Sequence, residues 1–535
     1  KEPINFRIPA AIIRTKNRRK PLDVNISSFL TRRADISPDR EAYVDSGTGL
    51  RLSFGELNVR VNQLANQLSA TGVGHGDRVG LCLMNSAEFI ESFVAIGKIG
   101  GVVVPLNWRL VADELEFIIK DSGAETLIFG SEFESVVADL QSRGDKTDVR
   151  NWLQVVGSGP CLEFADDYEL FRSSGSEAEP GIAAGGDDLL YIMYTSGTTG
   201  LPKGVVHSHT TSFWALLTFA ASCDLREGDR YLVALPLFHV GALTPVALNI
   251  YRGVTSVVMR EFDPSAAWRV IQEEGISASL LVPAMLNFMM QVPLDQVKYD
   301  QLRWIQSGAA PLPVSLIEQY SARGIEIHQI YGLTETCGPA CVISAEHALK
   351  KIGSTGKAFF HTEVRVVDES GADCEPGEQG EVWVKGGHIM IEYWHRPEAT
   401  AETITQGGWL RTGDVASIDD EGFVYIQDRI KDMIISGGEN VYPAEIENVI
   451  LSHPDVVEVA VIGQPSEKWG ESPFAVVVTN AASLSESDIR DYCDGKLARF
   501  KLPKGAAFID VIPRNANGKV LKRVLRESFP GPAQE

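Results

Sequence analysis

The segment Tyr194-Thr195-Ser196-Gly197-Thr198-Thr199-Gly200-Leu201-Pro202-Lys203-Gly204 gathers hydroxyls, glycines and one lysine into a single stretch. Glycines let backbone N–H groups turn around an anion, hydroxyls add donors and a lysine adds a mobile positive charge, so the chemistry on offer is a phosphate cradle. A Walker loop needs Gly-Lys-Ser/Thr opening a helix. Here Lys203 stands between Pro202 and Gly204 and leads into Val205-Val206. The run Leu189 to Tyr194 before it is apolar and β-prone, so the expected order is strand, glycine-rich loop, strand.

Four further groups stand out downstream: Gly308-Ala309-Ala310-Pro311, Tyr331-Gly332-Leu333-Thr334-Glu335-Thr336, Trp409-Leu-Arg-Thr-Gly-Asp414 and Pro513-Arg-Asn-Ala-Asn-Gly-Lys519. Taken alone, Thr-Gly-Asp is a common turn and a lysine after Asn-Gly an ordinary surface residue. In this order, however, the set resembles the signatures of the adenylate-forming superfamily, which includes acyl-CoA synthetases, peptide-synthetase adenylation domains and firefly luciferase. The resemblance spans nearly the whole chain and is greatest to bacterial fatty-acid–CoA ligases, including the mycobacterial very-long-chain type.

The resemblance implies a role for each group. Thr195, Ser196, Gly197, Thr198, Thr199, Gly200 and Lys203 would grip the phosphates of ATP. Gly308, Ala309 and Ala310 would border the adenine, with the Tyr331 ring against the base and Gly332 beside it in the ATP/AMP-binding set. Thr334 would meet phosphate and Glu335 would hold Mg²⁺, an ion that takes few protein carboxylates and completes its shell with phosphate and water. Asp414 would accept from both ribose hydroxyls, as a carboxylate can, and Arg429, fifteen residues on, would be a second ribose contact. Lys519 would bridge the substrate carboxylate and the α-phosphate and offset charge that builds in the transition state. Lys519, Glu335, Thr195 and Lys203 form the implied catalytic set. Lys431, in Asp428-Arg-Ile-Lys-Asp-Met-Ile434, falls at the family's hinge, while Gly437, Gly438 and Trp469 fall on its coenzyme A path. His239, Gly241 and Gly338 fall at the acyl site.

The implied reaction has two steps: acyl-AMP forms from carboxylate and ATP, and the sulfur of CoA then displaces AMP. Small residues at 241, 242 and 338–340 favour a medium- to long-chain fatty acid. An aryl acid of the hydroxycinnamate or benzoate type is the alternative, because a histidine at 239 also suits aryl-CoA ligases. Loading a carrier protein is a third reading, disfavoured because no carrier-like segment follows Lys519.

These residues need elements to hold them. From about 50 to 360, β-prone runs alternate with helical stretches (77–83, 102–105, 126–129, 189–194, 231–235, 254–259), which predicts α/β layers with parallel strands and ligands at strand ends. Between about 360 and 428, glycine-punctuated short strands predict a β-rich, barrel-like subdomain. Residues 1–430 are thus expected to form a large N-terminal domain of two α/β layers plus that subdomain, and 431–535 a small mobile α+β domain. The stretch 157–186, rich in Gly, Ser, Ala and acids, predicts an exposed connection.

Composition narrows the function classes. The chain has 535 residues, 44% of them hydrophobic, which is enough to bury large cores. A formal charge of -22 argues against nucleic-acid binding. The seven cysteines are scattered, as suits free thiols in a reducing compartment. Cys337 and Cys341 lack a second ligand pair for zinc, and His207-Ser-His209 is expected as a strand end. The basic residues from Arg14 to Lys20 precede no long apolar core, and Tyr231 to Tyr251, though free of charged residues, contains two prolines and a histidine. The expectation is a cytoplasmic monomer or homodimer whose partners are ATP, CoA and a small carboxylic acid, with weak contact of the basic cluster to an anionic membrane as an alternative to a solvated tail.

Overall fold

The computed structural model describes residues 24–531, apart from 182, 196–200, 294–297, 310–311, 430–431, 437–438, 467–468, 482, 495, 498 and 515–519. Two large sheets carry most of the chain. One has nine strands in the order Lys357–Ala358, Cys341–Val342, Glu326–Tyr331, Trp304–Ser307, Ala278–Leu281, Arg230–Val233, Thr255–Val258, Glu41–Asp45, Arg51–Ser53. The other has eight: Glu392–Tyr393, Lys203–Ser208, Leu189–Thr195, Val102–Pro105, Arg78–Cys82, Thr126–Gly130, Asn151–Val155, Asp166–Asp167. Several of their inner strands are buried along their whole length, Val102–Pro105 and Thr126–Gly130 among them. Such strands read as continuous apolar runs because both faces of the sheet are covered.

The expected parallel pairing holds in the centre of each sheet and fails at the margins. Leu189–Thr195 turns back antiparallel into Lys203–Ser208, and Glu326–Tyr331 turns back into Cys341–Val342. The reason is length. Seven residues separate Thr195 from Lys203, whereas a parallel crossover takes a dozen or more. Both corrections fall on the loops singled out by their chemistry, so the phosphate-type loop is a hairpin connection.

The β-rich region is a four-stranded antiparallel sheet, Thr362–Val367, Gln379–Gly386, Leu410–Ile418 and Val424–Arg429. A further sheet joins Glu439–Val441, Ile434–Ser436, Gly470–Thr479 and Val456–Ser466, with Gly505–Phe508 alongside Gly470–Thr479. It has its own apolar core, in which Ile434, Ile446, Val461 and Val477 pack together. Tyr442 Oη donates across to Gln379 Oε1 at 2.7 Å, tying this unit to the antiparallel sheet.

The stretch 157–186 is not a bare exposed connection. It contains the short helix Tyr168–Ser173, in which Tyr168 and Arg172 are buried. Asn62 and Asn66 on the helix Phe54–Ala70 donate to the carbonyls of Glu177, Ser176 and Ala178. Glu179 accepts from the buried Lys98 at 2.7 Å. Polar composition disguised a segment that satisfies the buried Asn62 and Lys98 on two neighbouring helices. Among the described residues no helix is long and apolar enough to cross a membrane. Tyr231 to Tyr251 is divided between the strand Arg230–Val233, a loop and the helix Val240–Arg252.

Candidate active site

Thr195 and Lys203 face each other as cross-strand partners at the mouth of the hairpin, while 196–200 lie outside the described residues. The hairpin is braced from behind. Tyr194 Oη donates to Asp121 Oδ2 at 2.7 Å, and the same aspartate takes Arg396 at 2.7 Å through Oδ1 and the Trp394 indole at 3.0 Å through its carbonyl. Gly204 is required by packing: a Cβ there would lie 2.7 Å from Ile192 and 3.2 Å from Trp394. The Lys203 ammonium lies over the Tyr393 ring, 4.9 Å from its centre, a geometry that holds a cation without neutralising it.

The second and third loops leave the same sheet edge. Trp304–Ser307 and Glu326–Tyr331 are parallel neighbours in register, so Gly308-Ala309 and the turn after Tyr331 emerge side by side. Ala310 lies outside the described residues. Gly332 has no alternative, since a Cβ would come within 1.5 Å of the Gly338 carbonyl oxygen. Tyr331 Oη donates to Asp414 Oδ2 at 2.6 Å, so the third loop and the antiparallel sheet meet through the residue expected to take the ribose. Asp414 is buried and lies opposite Arg429 across its strand pair.

Glu335 sits in the single turn Thr334–Thr336, and segments distant in sequence hold that turn. Tyr393 Oη donates to Glu335 Oε1 at 2.8 Å, and Met390 N donates to the Glu335 carbonyl at 2.8 Å. His207 Nε2 lies 2.8 Å from the Thr334 carbonyl and His388 Nδ1 3.0 Å from that of Thr336. Burial pushes both imidazoles down to about 4, so each is a neutral ring. One carboxylate on a fixed turn, next to a lysine-bearing phosphate-type loop, fits Mg²⁺, which keeps phosphate and water as its other ligands.

The acyl side is built differently. His239 precedes the helix Val240–Arg252 without capping it, and its Nε2 is covered and has no partner among the described residues. Burial, and then Arg109, push its pKa down to about 3. Gly241 faces Leu235 and Gly338 faces the Phe219 ring, so neither opens a wide space. Two largely apolar cavities of about 10 Å³ each lie within the same sheet-and-helix core, lined by neither glycine; one reaches Cys337 and the other Leu30 and Ile250, and they share Ile26, Phe93, Leu243 and Ala247. Each has room for about one water. A side chain moving out of this shared wall would join them.

In the last sheet, Ser436 pairs with Gly470, which puts the exposed Trp469 beside the strand leading to Gly437 and Gly438. Those two glycines, Lys431 and Lys519 lie outside the described residues. Sequence reasoning missed Tyr393, His388 and Asp121, and took His207 for no more than a strand end. The aromatic cluster Tyr393-Trp394-His395 was the one local signal.

The model of AMP-binding enzymes matches residues 30–394, and that of the AMP-binding enzyme C-terminal domain matches 445–519. The chain is 46% identical over 507 residues to the long-chain-fatty-acid–CoA ligase FadD13 of Mycobacterium tuberculosis, covering 94% of this chain and 98% of that one. It is 39% identical to a feruloyl-CoA synthase of Amycolatopsis, covering 94% and 99%. The solved structure of o-succinylbenzoate–CoA synthetase from Bacillus subtilis, in complex with ATP and magnesium ion, superposes with a TM-score of 0.83 at 33% identity, covering 93% and 99%. With the hairpin, the Glu335 turn and Asp414 brought together in one fold, and with matches of this extent, the chain belongs to the family of AMP-binding enzymes.

Proposed function

We propose that this protein is an ATP-dependent carboxylic acid–CoA ligase that acts on medium- to long-chain fatty acids. The observation that carries the reading is the convergence of Lys203, Glu335, Tyr331 and Asp414 through Tyr393 and direct hydrogen bonds. That polar wall suits a nucleotide triphosphate, and a small apolar space adjoins it at Cys337. The relatives support the same reading, since their names are those of acid–CoA ligases.

In the first step a carboxylate oxygen of the acid attacks the α-phosphorus of ATP, the bond to the bridging oxygen of the β-phosphate breaks, and pyrophosphate leaves. Lys203 and the loop Thr195–Gly200 take the pyrophosphate side, Asp414 and Arg429 the ribose, and Gly308, Ala309, Ala310, Tyr331 and Gly332 the adenine. Mg²⁺, when bound at Glu335, supplies charge neutralisation on the phosphate oxygens. Lys519 bridges the attacking carboxylate and the α-phosphate. In the second step the CoA thiol, losing its proton, attacks the acyl carbon and AMP leaves with the electron pair. No protein nucleophile is needed. Residues 1–430 and 431–535 serve as the two domains, with Lys431 as the hinge that exchanges Lys519 for the CoA path past Gly437, Gly438 and Trp469.

The largely apolar lining that runs from Cys337 to Leu30 favours an alkyl tail, and its small volume means that the tail must displace Leu243 or Phe93 as it enters. ATP- and CoA-dependent release of AMP, measured across fatty, aromatic and dicarboxylic acids, tests the reading. Fatty acids of medium or long chain are expected to give the highest kcat/KM. If hydroxycinnamates outpace every fatty acid, the aryl-acid reading replaces this one; if acyl-AMP accumulates and CoA is never acylated, transfer to a carrier does.

A further inference from the structure

Within the single turn Thr334–Thr336, every carbonyl accepts a hydrogen bond from outside it. The Thr334 oxygen faces His207 Nε2 at 2.8 Å, besides the following Cys337 N at 3.0 Å; the Glu335 oxygen takes Met390 N at 2.8 Å; the Thr336 oxygen faces His388 Nδ1 at 3.0 Å. A carbonyl only accepts, so Nε2 of His207 and Nδ1 of His388 must each carry the proton. The remaining nitrogen of each ring is met by a hydroxyl: Thr211 Oγ1 at 3.1 Å from His207 Nδ1, and Thr362 Oγ1 at 2.7 Å from His388 Nε2. The two rings are therefore held in opposite tautomers, and both residues are fully buried.

Their anchorage links the turn to the rest of the site. His207 lies on Lys203–Ser208, the strand that starts at the candidate phosphate lysine. Thr211 is also the residue that closes the cap of the helix His209–Ser222, accepting from Ser208 N at 3.0 Å. His388 lies five residues before Tyr393, whose hydroxyl reaches the Glu335 carboxylate. One ring thus fixes the turn to the phosphate-loop hairpin and the other to the antiparallel sheet through Thr362.

We propose that His207 and His388 are positioning residues, which set the Glu335 carboxylate for Mg²⁺ by holding the carbonyls on either side of it. This rests on the reading of Glu335 as the metal carboxylate. A neutral donor suits the place, since it orients the turn without adding charge where the metal and phosphates must gather. Outer groups that orient a metal ligand are worth about 10–100-fold in metal affinity.

The opposite tautomers give a test that volume filling would fail. A glutamine amide can put its donor where Nε2 stood, and an asparagine amide where Nδ1 stood. In the full chain with ATP and no acid, Mn²⁺ is titrated in place of Mg²⁺, and the free ion is read by electron paramagnetic resonance. His207→Leu and His388→Leu are expected to weaken Mn²⁺ binding about tenfold or more. His207→Gln should restore most of it and His207→Asn should not; at 388 the order should reverse, with Asn restoring and Gln failing. The Mg²⁺ concentration for half-maximal acyl-AMP formation should follow the same order. If the leucine variants do not fold, the Gln/Asn pairs, which differ by one methylene, still decide. Equal binding by Gln and Asn at both positions, or unchanged binding in the leucine variants, overturns the proposal. Glu335→Gln separates the two levels: if it leaves Mn²⁺ binding intact, the metal reading of Glu335 falls, whereas if it weakens binding while the histidine variants do not, only this inference falls.

Discussion

The nucleotide side and the acyl side of the site share the Glu335–Gly338 stretch and are built on opposite principles. On the nucleotide side Glu335 and Asp414 each accept a defined hydrogen bond, from Tyr393 and Tyr331, and the turn between the strands is fixed at each carbonyl. Across Gly338 the neighbours are Phe219 and Val240, and farther on Leu243, Phe93 and Ile26 make non-directional contacts that leave cavities of about 10 Å³. Directional bonds hold charged groups in one geometry, as phosphate chemistry demands. Apolar side chains can repack at low cost and admit different tails. The reaction is consequently written more firmly into this molecule than its acid.

The comparison can be broken from either side. The largest effect is expected from Lys519→Ala: acyl-AMP formation should fall by about 10²–10³-fold, while CoA transfer from supplied acyl-AMP stays near normal. Assaying the half-reactions separately checks this, and equal loss in both contradicts the role given to Lys519. Next, Lys431→Pro should slow thioester formation by on the order of tenfold while changing adenylation less than about twofold. Rapid-quench measurement of each step would detect a variant that is normal in both, and that result removes the hinge.

Leu243→Ala sharpens the acyl half, because this buried side chain lines both cavities. Urea unfolding should show a loss of about 2–5 kcal/mol, and the chain-length profile should shift toward bulkier acids with KM for ATP unchanged. A shift in ATP affinity instead would mean that the two sides are not independent. A further effect on stability, of similar size, concerns pH. Burial holds His209 down at about 4 and His239 at about 3, against an ordinary 6.5. Protons therefore bind the unfolded chain first: the stability is full above pH 6.5 and is lost as pH falls toward those values, by up to about 1.4 kcal/mol per pH unit per group. Chemical denaturation from pH 7 to 4.5 should show that slope, and His239→Leu should reduce it by about one proton; an unchanged slope would mean that His239 is charged in the fold.

Much of the architecture was legible in the chain. The run Leu189 to Tyr194, the glycine-rich stretch and Val205-Val206 predicted strand, loop and strand because β-prone residues stand on both sides of the glycines and the Gly-Lys-Ser/Thr of a Walker loop is missing. The strands at 102–105 and 126–129 were legible because double-sided burial leaves an unbroken apolar run. The antiparallel margins were missed although the seven residues between Thr195 and Lys203 are too few for a parallel crossover, because the strand rhythm alone carries no direction. Nor was the packing of 157–186 onto the helix Phe54–Ala70 legible, because an acid such as Glu179 that satisfies the buried Asn62 and Lys98 looks like a solvent-facing one.

By itself, then, the sequence determined the kind of chemistry. The stretches proposed for phosphate, metal and ribose each depend on a few residues in unbroken order, and local backbone geometry makes such stretches recognisable. Only the tertiary structure decided how the Glu335 carboxylate is aimed, because Tyr393, Met390, His207 and His388 come from segments distant along the chain and meet only when the sheets assemble. It also decided how little room stands open between Leu243, Phe93 and Ile26. Volume is a property of side chains from several helices packed together, and no single stretch of sequence carries it.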